Sequence, residues 1–233
     1  MPSVNHAEVP ITDAHPRSTM PRPRLGPKYN KMRKTLTTLA LLLLAFAAQA
    51  QTPQQMLDRA IAALKSAGTV SANYKVKSPQ GSSTGTIVMA GNKYRLVSKE
   101  MKCWYDGKTQ WAWSPATDEV NITTPTAADL QTTNPMAAAA DFKTNFNMWK
   151  SKGQIPGNYA IMLMPKKKND IERVYLYINT TTNLLHIAHI KMRDGTALTL
   201  TLTGYKTNLK LPASTFTYDK SMVPPGTQVV DLR

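Results

Sequence analysis

Two hydrophobic periods organise the chain, and one apolar run stands apart from both. From Thr52 to Gly68, residues Met56, Leu57, Ile61 and Leu64 recur at helical spacing. Thr52 can cap this segment, Pro53 suits its first helical position, and Gln55 completes a capping box. Gly68 then ends it. The pattern predicts one amphipathic helix of about four turns. Beyond Gly68 the period falls to two, in short runs separated by turn chemistry.

The first set of runs predicts strands over 69–77, 83–90, 93–99, 101–105, 108–114 and 119–123. Asp106-Gly107 lies between Trp104-Tyr105 and Trp111, a two-residue hairpin signal because both positions tolerate positive φ. A second set covers 159–165, 171–178, 184–193 and 196–205, with a last extended stretch near 214–219. Leu198, Leu200 and Leu202 alternate with Thr199, Thr201 and Thr203, and Val174, Leu176 and Ile178 alternate with Tyr175 and Tyr177. Such alternation describes an antiparallel sheet with one dry face and one wet face. Between the sets, 126–150 does not read as strand. Pro135 and the run Met136–Phe142 favour helix, and Met136, Ala140, Phe142, Phe146 and Trp149 continue an apolar face. That segment is either an ordinary helix closing one end of the β-structure or a lid. The expected fold is mainly β with a few helices, an α+β arrangement around one curved sheet.

The apolar run, TLTTLALLLLAFAA at 35–48, follows Arg33-Lys34 and precedes Ala48-Gln49-Ala50. A basic start, an apolar stretch and an A-x-A site describe a secretory signal peptide, cleaved after Ala50. A membrane anchor is the rival, but the run falls short of the roughly 20 residues that a spanning helix needs. Residues 1–31 carry six prolines and no apolar periodicity. They read as a non-native extension, with translation starting at Met32, or as a disordered leader. The division expected is 1–31 extension, 32–50 signal peptide and 51–233 a single domain in the periplasm.

Charge changes meaning with that division. The whole chain has 29 Lys plus Arg against 14 Asp plus Glu, a formal net charge of +15. Residues 51–233 keep 22 basic and 12 acidic residues. Nucleic acid is an odd partner for an exported protein. Attraction to anionic lipid head groups or acidic partners fits better, beside the plain reading of a solvated surface. The excess is scattered except at Lys166-Lys167-Lys168. The single cysteine, Cys103, excludes an internal disulfide and a multi-cysteine metal site. Nine methionines and four tryptophans in 51–233 suit either an adaptable cavity for flexible chains or a plain core.

Catalytic signals are weak. His186 and His189 stand three apart on one strand and point to opposite faces. No G-x-S-x-G, H-E-x-x-H, phosphate loop or dinucleotide fingerprint occurs. Cys103 has no evident base, and Asp118-Glu119 reads as turn polarity. A non-enzymatic protein without cofactor or metal is expected.

The order of motifs is informative: G-N-K-Y-R-L at 91–96, W-Y-D-G-K-T-Q-W-A-W-S-P at 104–115, D-E-V at 118–120, Y-A-I-M-L-M-P-K at 159–166, the turn at 194–195, and F-T-Y-D-K-S-M-V-P-P-G-T-Q-V-V-D at 216–231. Together with the signal peptide and the single helix, they resemble the periplasmic outer-membrane lipoprotein carrier family, LolA-like, over essentially all of 51–233. The resemblance implies an incompletely closed antiparallel β-barrel whose helices cover an apolar cavity. It implies a monomer that takes the acyl chains of lipoproteins from an inner-membrane transporter and hands them to an outer-membrane receptor. It also assigns Arg95, after Tyr94, as the arginine that bonds to lid loops; exposure to water on a strand is the alternative. Candidate ligand contacts are then Arg95, Met89, Leu198, Leu200, Leu202, Met136, Phe142 and Phe146. Family acidic and proline positions are loosely kept, which leaves partner contacts open. A binding or sensing module for another lipid, amphiphile or peptide is the second reading, and a helix-filled barrel without cargo the third.

Overall fold

The computed structural model describes residues 51–153 and 155–233. The extension 1–31 and the signal peptide 32–50 lie outside the described residues. Helix α1 spans Pro53–Ser66 and carries the predicted capping box: the Gln55 amide donates to Thr52 Oγ1 at 3.2 Å, and the Thr52 amide donates to Gln55 Oε1 at 3.0 Å. Strands β1 Thr69–Ser78, β2 Gly81–Ala90, β3 Lys93–Ser98, β4 Lys102–Tyr105, β5 Gln110–Ser114 and β6 Glu119–Thr123 follow. Helices α2 Ala127–Thr133 and α3 Pro135–Asn145 interrupt them. The chain resumes with β7 Phe146–Lys150, β8 Asn158–Pro165, β9 Ile171–Asn179, β10 Leu185–Met192, β11 Ala197–Lys206 and β12 Gln228–Asp231.

These strands form one 12-stranded sheet in the order β12-β6-β5-β4-β3-β2-β1-β11-β10-β9-β8-β7. Two antiparallel meanders are fused where β1 pairs with β11, and β12 joins parallel to β6. β7 and β12 are the two ends, so the sheet stays open: an incompletely closed half-barrel with helices.

Register assigns the faces. Val70, Ala72, Tyr74 and Val76 of β1 share the inner face with Met89 and Ile87 of β2, Tyr94 and Leu96 of β3, and Cys103 and Tyr105 of β4. On the other side of β1, Leu200 and Leu202, then Ala188, Leu176 and Ile161, continue the same face. Helix α1 lies on it. Met56 and Leu57 are buried in a cluster with Phe146, Ile161, Leu163, Val174, Leu176 and Ile178, and Leu64 packs into the adjoining cluster around Val70, Met89 and Tyr94. Each fully buried aliphatic side chain here contributes about 1.5–3 kcal/mol of transfer free energy.

Four expectations change. Residues 146–150 form the edge strand β7, because Phe146-Asn147-Met148-Trp149-Lys150 alternates inward and outward rather than continuing a helical stripe. The stretch 214–219 is not a strand. Two 3-10 turns, Ala213–Phe216 and Lys220–Met222, occupy it, the second capped by Asp219 Oδ1, which accepts from the Ser221 amide at 2.9 Å. β12 leaves no mark on the residue pattern, since four residues are too few for a period to show. The hairpin at Asp106-Gly107 spans four residues: Asp106 Oδ1 accepts from the amides of Lys108 and Thr109, each at 2.8 Å, with Gly107 at φ 104°.

Gly85 sits on β2 where the sheet crowds its own backbone. A Cβ there would lie 2.2 Å from the Val97 carbonyl oxygen and 2.8 Å from the Tyr74 ring. Gly85→Ala is expected to lower stability by about 1–3 kcal/mol, an overpacking cost. Urea denaturation checks it, and an unchanged midpoint would show that the sheet yields freely at this position.

Candidate functional site

The inner face closes unevenly. Along β11, Leu202 is buried, whereas Leu200 and Leu198 are half-buried. Leu200 stands opposite Val76 on β1 and Ala188 on β10, and Leu198 stands opposite Ile190. Val76 and Ile190 are also half-buried. A dry strip therefore runs from a sealed centre to a partly open end. Short β-branched and leucine side chains at every second position produce it, since the alternate threonines and lysines face outward.

Helices α2 and α3 lie at the other side of the inner face and are lightly held. Leu130 of α2 packs against the cluster around Val70, Met89 and Tyr94. No residue of α3 is fully buried, although Phe142 meets Phe146 edge-on at 5.0 Å. Met136 is half-buried in the first turn of α3, where its amide donates to Asn134 Oδ1 at 2.9 Å. Asn134 caps α3 and ties the helix pair to the sheet, because its Nδ2 donates to the Asn92 carbonyl at 2.8 Å. A second tie is Tyr94. Its hydroxyl donates to Gln110 Oε1 at 2.7 Å and lies 3.0 Å from the Thr133 hydroxyl. Gln110 and Thr133 also line a cleft of about 580 Å³, together with Thr123, Pro125, Asp129 and Leu232. A smaller cleft of about 340 Å³ runs between α2 and α3, past Leu130, Ala137 and Ala140.

Of the residues singled out in the sequence, Met89, Leu198, Leu200 and Leu202 share the inner face, Phe146 joins its core, and Met136 and Phe142 lie on the cover. Arg95 does not join them. It pairs across β3 with Trp104 and Val88, on the outer face, and its Nε is buried without a hydrogen-bond partner among the described residues. The tie expected of Arg95 is made by its neighbour Tyr94. Tyr94 and Leu96 alternate in phase with Met89 and Ile87, a signal present in the sequence once the register is known.

The tryptophans also lie elsewhere than a cavity would need. Trp104 and Trp113 are buried on the outer face with Val120 and Val223, and Trp111 packs beside them. The C-terminal segment covers this cluster: Tyr218 meets Trp104 at 5.7 Å, and Lys102 Nζ donates to the Met222 carbonyl at 2.8 Å. Asp118 belongs to this scaffold, with φ 48°, accepting from Trp113 Nε1 at 3.2 Å and Thr227 Oγ1 at 2.7 Å.

Burial shapes the titratable groups. Removal from water pushes the Tyr94 phenol well above its ordinary range, so it stays a neutral donor. Burial pushes the Cys103 thiol up to about 12, with the Tyr94 hydrogen bond acting weakly in the opposite direction. Such a thiol is not a nucleophile at neutral pH. His186 and His189 have separate partners, Asn158 Oδ1 and Thr199 Oγ1. Among the described residues, no group of three or more His, Cys, Asp or Glu could hold a metal, and no helix is long and apolar enough to cross a membrane.

A largely antiparallel open sheet with one helix on its dry face and a lightly tied helix pair at its rim is an incompletely closed half-barrel. Residues 43–196 match the family model described as outer membrane lipoprotein carrier protein LolA, and the chain belongs to that family. Among solved structures it resembles an uncharacterised conserved protein from Thermus thermophilus, at 12% identity and TM-score 0.54 over 76% of this chain and 98% of that one. It also matches a LolA superfamily protein from Nitrosomonas europaea, at 14% identity and TM-score 0.41 over 72% and 99% of the two chains. LprF from Mycobacterium bovis matches at 14% identity and TM-score 0.39 over 70% and 98%. A search of curated protein sequences finds no match.

Two outcomes test this site. Tyr94→Phe removes the tie to Gln110 and Thr133 and is expected to cost about 1 kcal/mol of stability, with faster amide exchange in α2 than in β9. Equal protection in α2 would show that Tyr94 does not hold the cover. Cys103 is expected to resist a thiol reagent at pH 8 until the protein unfolds. Because its folded pKa lies above the unfolded value, the thiol's contribution to stability is complete below about pH 9 and declines as pH rises toward 12. Thermal midpoints across that window, compared with Cys103→Ser, should diverge in that direction.

Proposed function

We propose that the chain is an exported, monomeric carrier. It binds the acyl chains of lipoproteins on the inner face of its half-barrel and delivers them toward the outer membrane. On this reading residues 32–50 direct export and are removed after Ala50, residues 51–233 form the single working domain, and an inner-membrane donor and an outer-membrane receptor are its partners. Family membership supports the carrier class. The observation that carries the acyl-chain reading is the leucine row of β11, which grades from the buried Leu202 to the half-buried Leu198. Such a strip offers apolar surface without a preformed polar specificity site.

Transfer energetics set the design. Each methylene taken out of water contributes about 0.8 kcal/mol, so a bound chain gains strongly and release becomes the difficult step. A cover tied by a few hydrogen bonds, each worth about 1 kcal/mol net, can open at a cost that a partner offsets. Tyr94, Asn134 and Asn92 supply those ties, and the buried Met89, Phe146 and Leu202 form the floor. Phe142 and Met136 complete the cover. The polar lining of the cleft beside Tyr94 suits the head group of an amphiphile whose chains lie deeper.

Native mass spectrometry of the protein recovered from its producing cells tests the reading. An acylated polypeptide bound to the wild type and lost in Leu198→Asp, with unchanged thermal stability, is the expected outcome. A free lipid in its place would favour a general lipid binder, and a chain without any acyl mass would overturn the proposal. Peptide mapping of the same sample should place the mature N-terminus at Gln51.

A further inference from the structure

On the outer face of β7–β10 the β7–β8 loop comes near Tyr177, where a Cβ on Gly153 would lie 3.6 Å from its hydroxyl, and Ala160 is buried, but the β7–β8 edge beyond is open. On it Trp149 of β7 stands opposite Met162 of β8, and Asn147 stands opposite Met164. Tyr175 and Tyr177 of β9 pair with Met162 and Ala160. Trp149 is 44% exposed and Met164 38% exposed, so an aromatic and a flexible apolar side chain project together from a sheet edge. The other three tryptophans pack into the cluster under the C-terminal segment; Trp149 has no such shelter.

Charge around this edge is mainly basic, although Asp170 follows the lysines in the β8–β9 hairpin and Lys143 is paired with Asp58 of α1 at 2.6 Å. Residues 143–168 contain six lysines and no Asp or Glu. Three of them, Lys166, Lys167 and Lys168, are exposed in the β8–β9 hairpin beside Met164. Lys166 Nζ reaches back to the Thr144 carbonyl at 2.7 Å, which fixes the hairpin against the start of β7. Arg173 and Lys191 pair across β9 and β10 on the same outer face. Glu172 is bound by both, with Lys191 Nζ at 2.9 Å, so this carboxylate is already neutralised.

We infer that the β7–β8 edge is a docking surface for an anionic lipid bilayer, with Trp149 and Met164 entering the head-group layer and Lys166–Lys168 contacting its phosphates. Tryptophan is suited to that boundary because its ring is apolar and its N–H stays wet. Clustered lysines add attraction that acts at a distance and fades with salt. Neither element suffices alone: a scattered basic surface lacks the wedge, and one exposed tryptophan lacks the field. The two coincide here on one edge, and the dry strip with its leucine row is on the opposite face of the sheet. Docking in this way would hold the carrier at a membrane while its cargo site stays clear of the lipid.

The test uses the full chain, wild type and variants sharing residues 1–50, so that differences report the described domain. Sedimentation is measured with vesicles of phosphatidylcholine alone and of an equal mixture with phosphatidylglycerol, none carrying lipoprotein. Cargo binding is therefore not required, and its failure would leave this result untouched. Wild-type protein should bind the anionic vesicles, bind neutral ones far less, and release as salt is raised, with a blue shift of tryptophan emission. Lys166→Glu/Lys167→Glu/Lys168→Glu should weaken binding at least about tenfold. Trp149→Ala should lose the blue shift. Both changes are at exposed positions, and an unchanged thermal midpoint verifies the fold. Equal binding to neutral and anionic vesicles, or variants that bind like the wild type, would overturn the proposal. So would capture by immobilised polyglutamate through the same residues without vesicle binding, which would assign the face to an acidic protein.

Discussion

Helix α1 on the inner face is the contact on which the rest depends. An open sheet with one apolar face has no partner sheet, so something else must remove that face from water. Met56 and Leu57 do so over β7–β9, against Ile161, Leu176 and Ile178, and Leu64 extends the cover toward Val70 in the middle of the sheet. The capping box at Thr52 and Gln55 matters for this reason. It determines where the helix begins, hence which residues meet the sheet. One helix is narrower than 12 strands, so the cover is necessarily incomplete, and the half-buried Leu198, Val76 and Ile190 are its geometric remainder.

That shortfall separates two kinds of stability in one molecule. The centre is close-packed and costly to disturb. The helix pair at the rim rests on a few hydrogen bonds, on the exposed Lys143–Asp58 ion pair to α1, and on Leu130 and Phe142, with no fully buried residue in α3. Little apolar surface is buried there, so local opening of this pair would cost less than disturbing the packed core. The tie lies on Tyr94 rather than Arg95 because strand alternation allows only one of two neighbours to reach the inner face. The outer-face cluster of Trp104, Trp113 and Val223 provides a second, independent anchor for β3–β6, so movement at the rim need not loosen the sheet.

Much of the architecture was legible from residue spacing. The helix at 53–66, ten of the strands and the dry face bearing Leu198, Leu200 and Leu202 follow from periods of 3.6 and 2. What escaped has physical reasons. β7 follows an alanine-rich helix directly, and its five residues mimic the helix's apolar face until Trp149 is seen to point outward. β12 has only four residues and draws its order from β6, more than a hundred positions away. Of the candidate site, the inner-face leucine row is readable from spacing, whereas Tyr94 and Arg95 cannot be distinguished until a register fixes which of them faces Met89. The tryptophans were misleading, because composition reports that aromatics are buried but not on which side of a sheet.

The parallel pairing of β12 with β6 has a consequence for biogenesis. The β6 edge, with its unpaired amides and carbonyls, stays uncovered until residues 228–231 are available, and the Trp104 cluster stays open until Tyr218 and Val223 reach it. A partly synthesised chain could build α1 and the first meander yet would present an open, sticky β6 edge. A chain interrupted before residue 228 would keep most of the sheet's pairings while remaining prone to pair with its neighbours through β6.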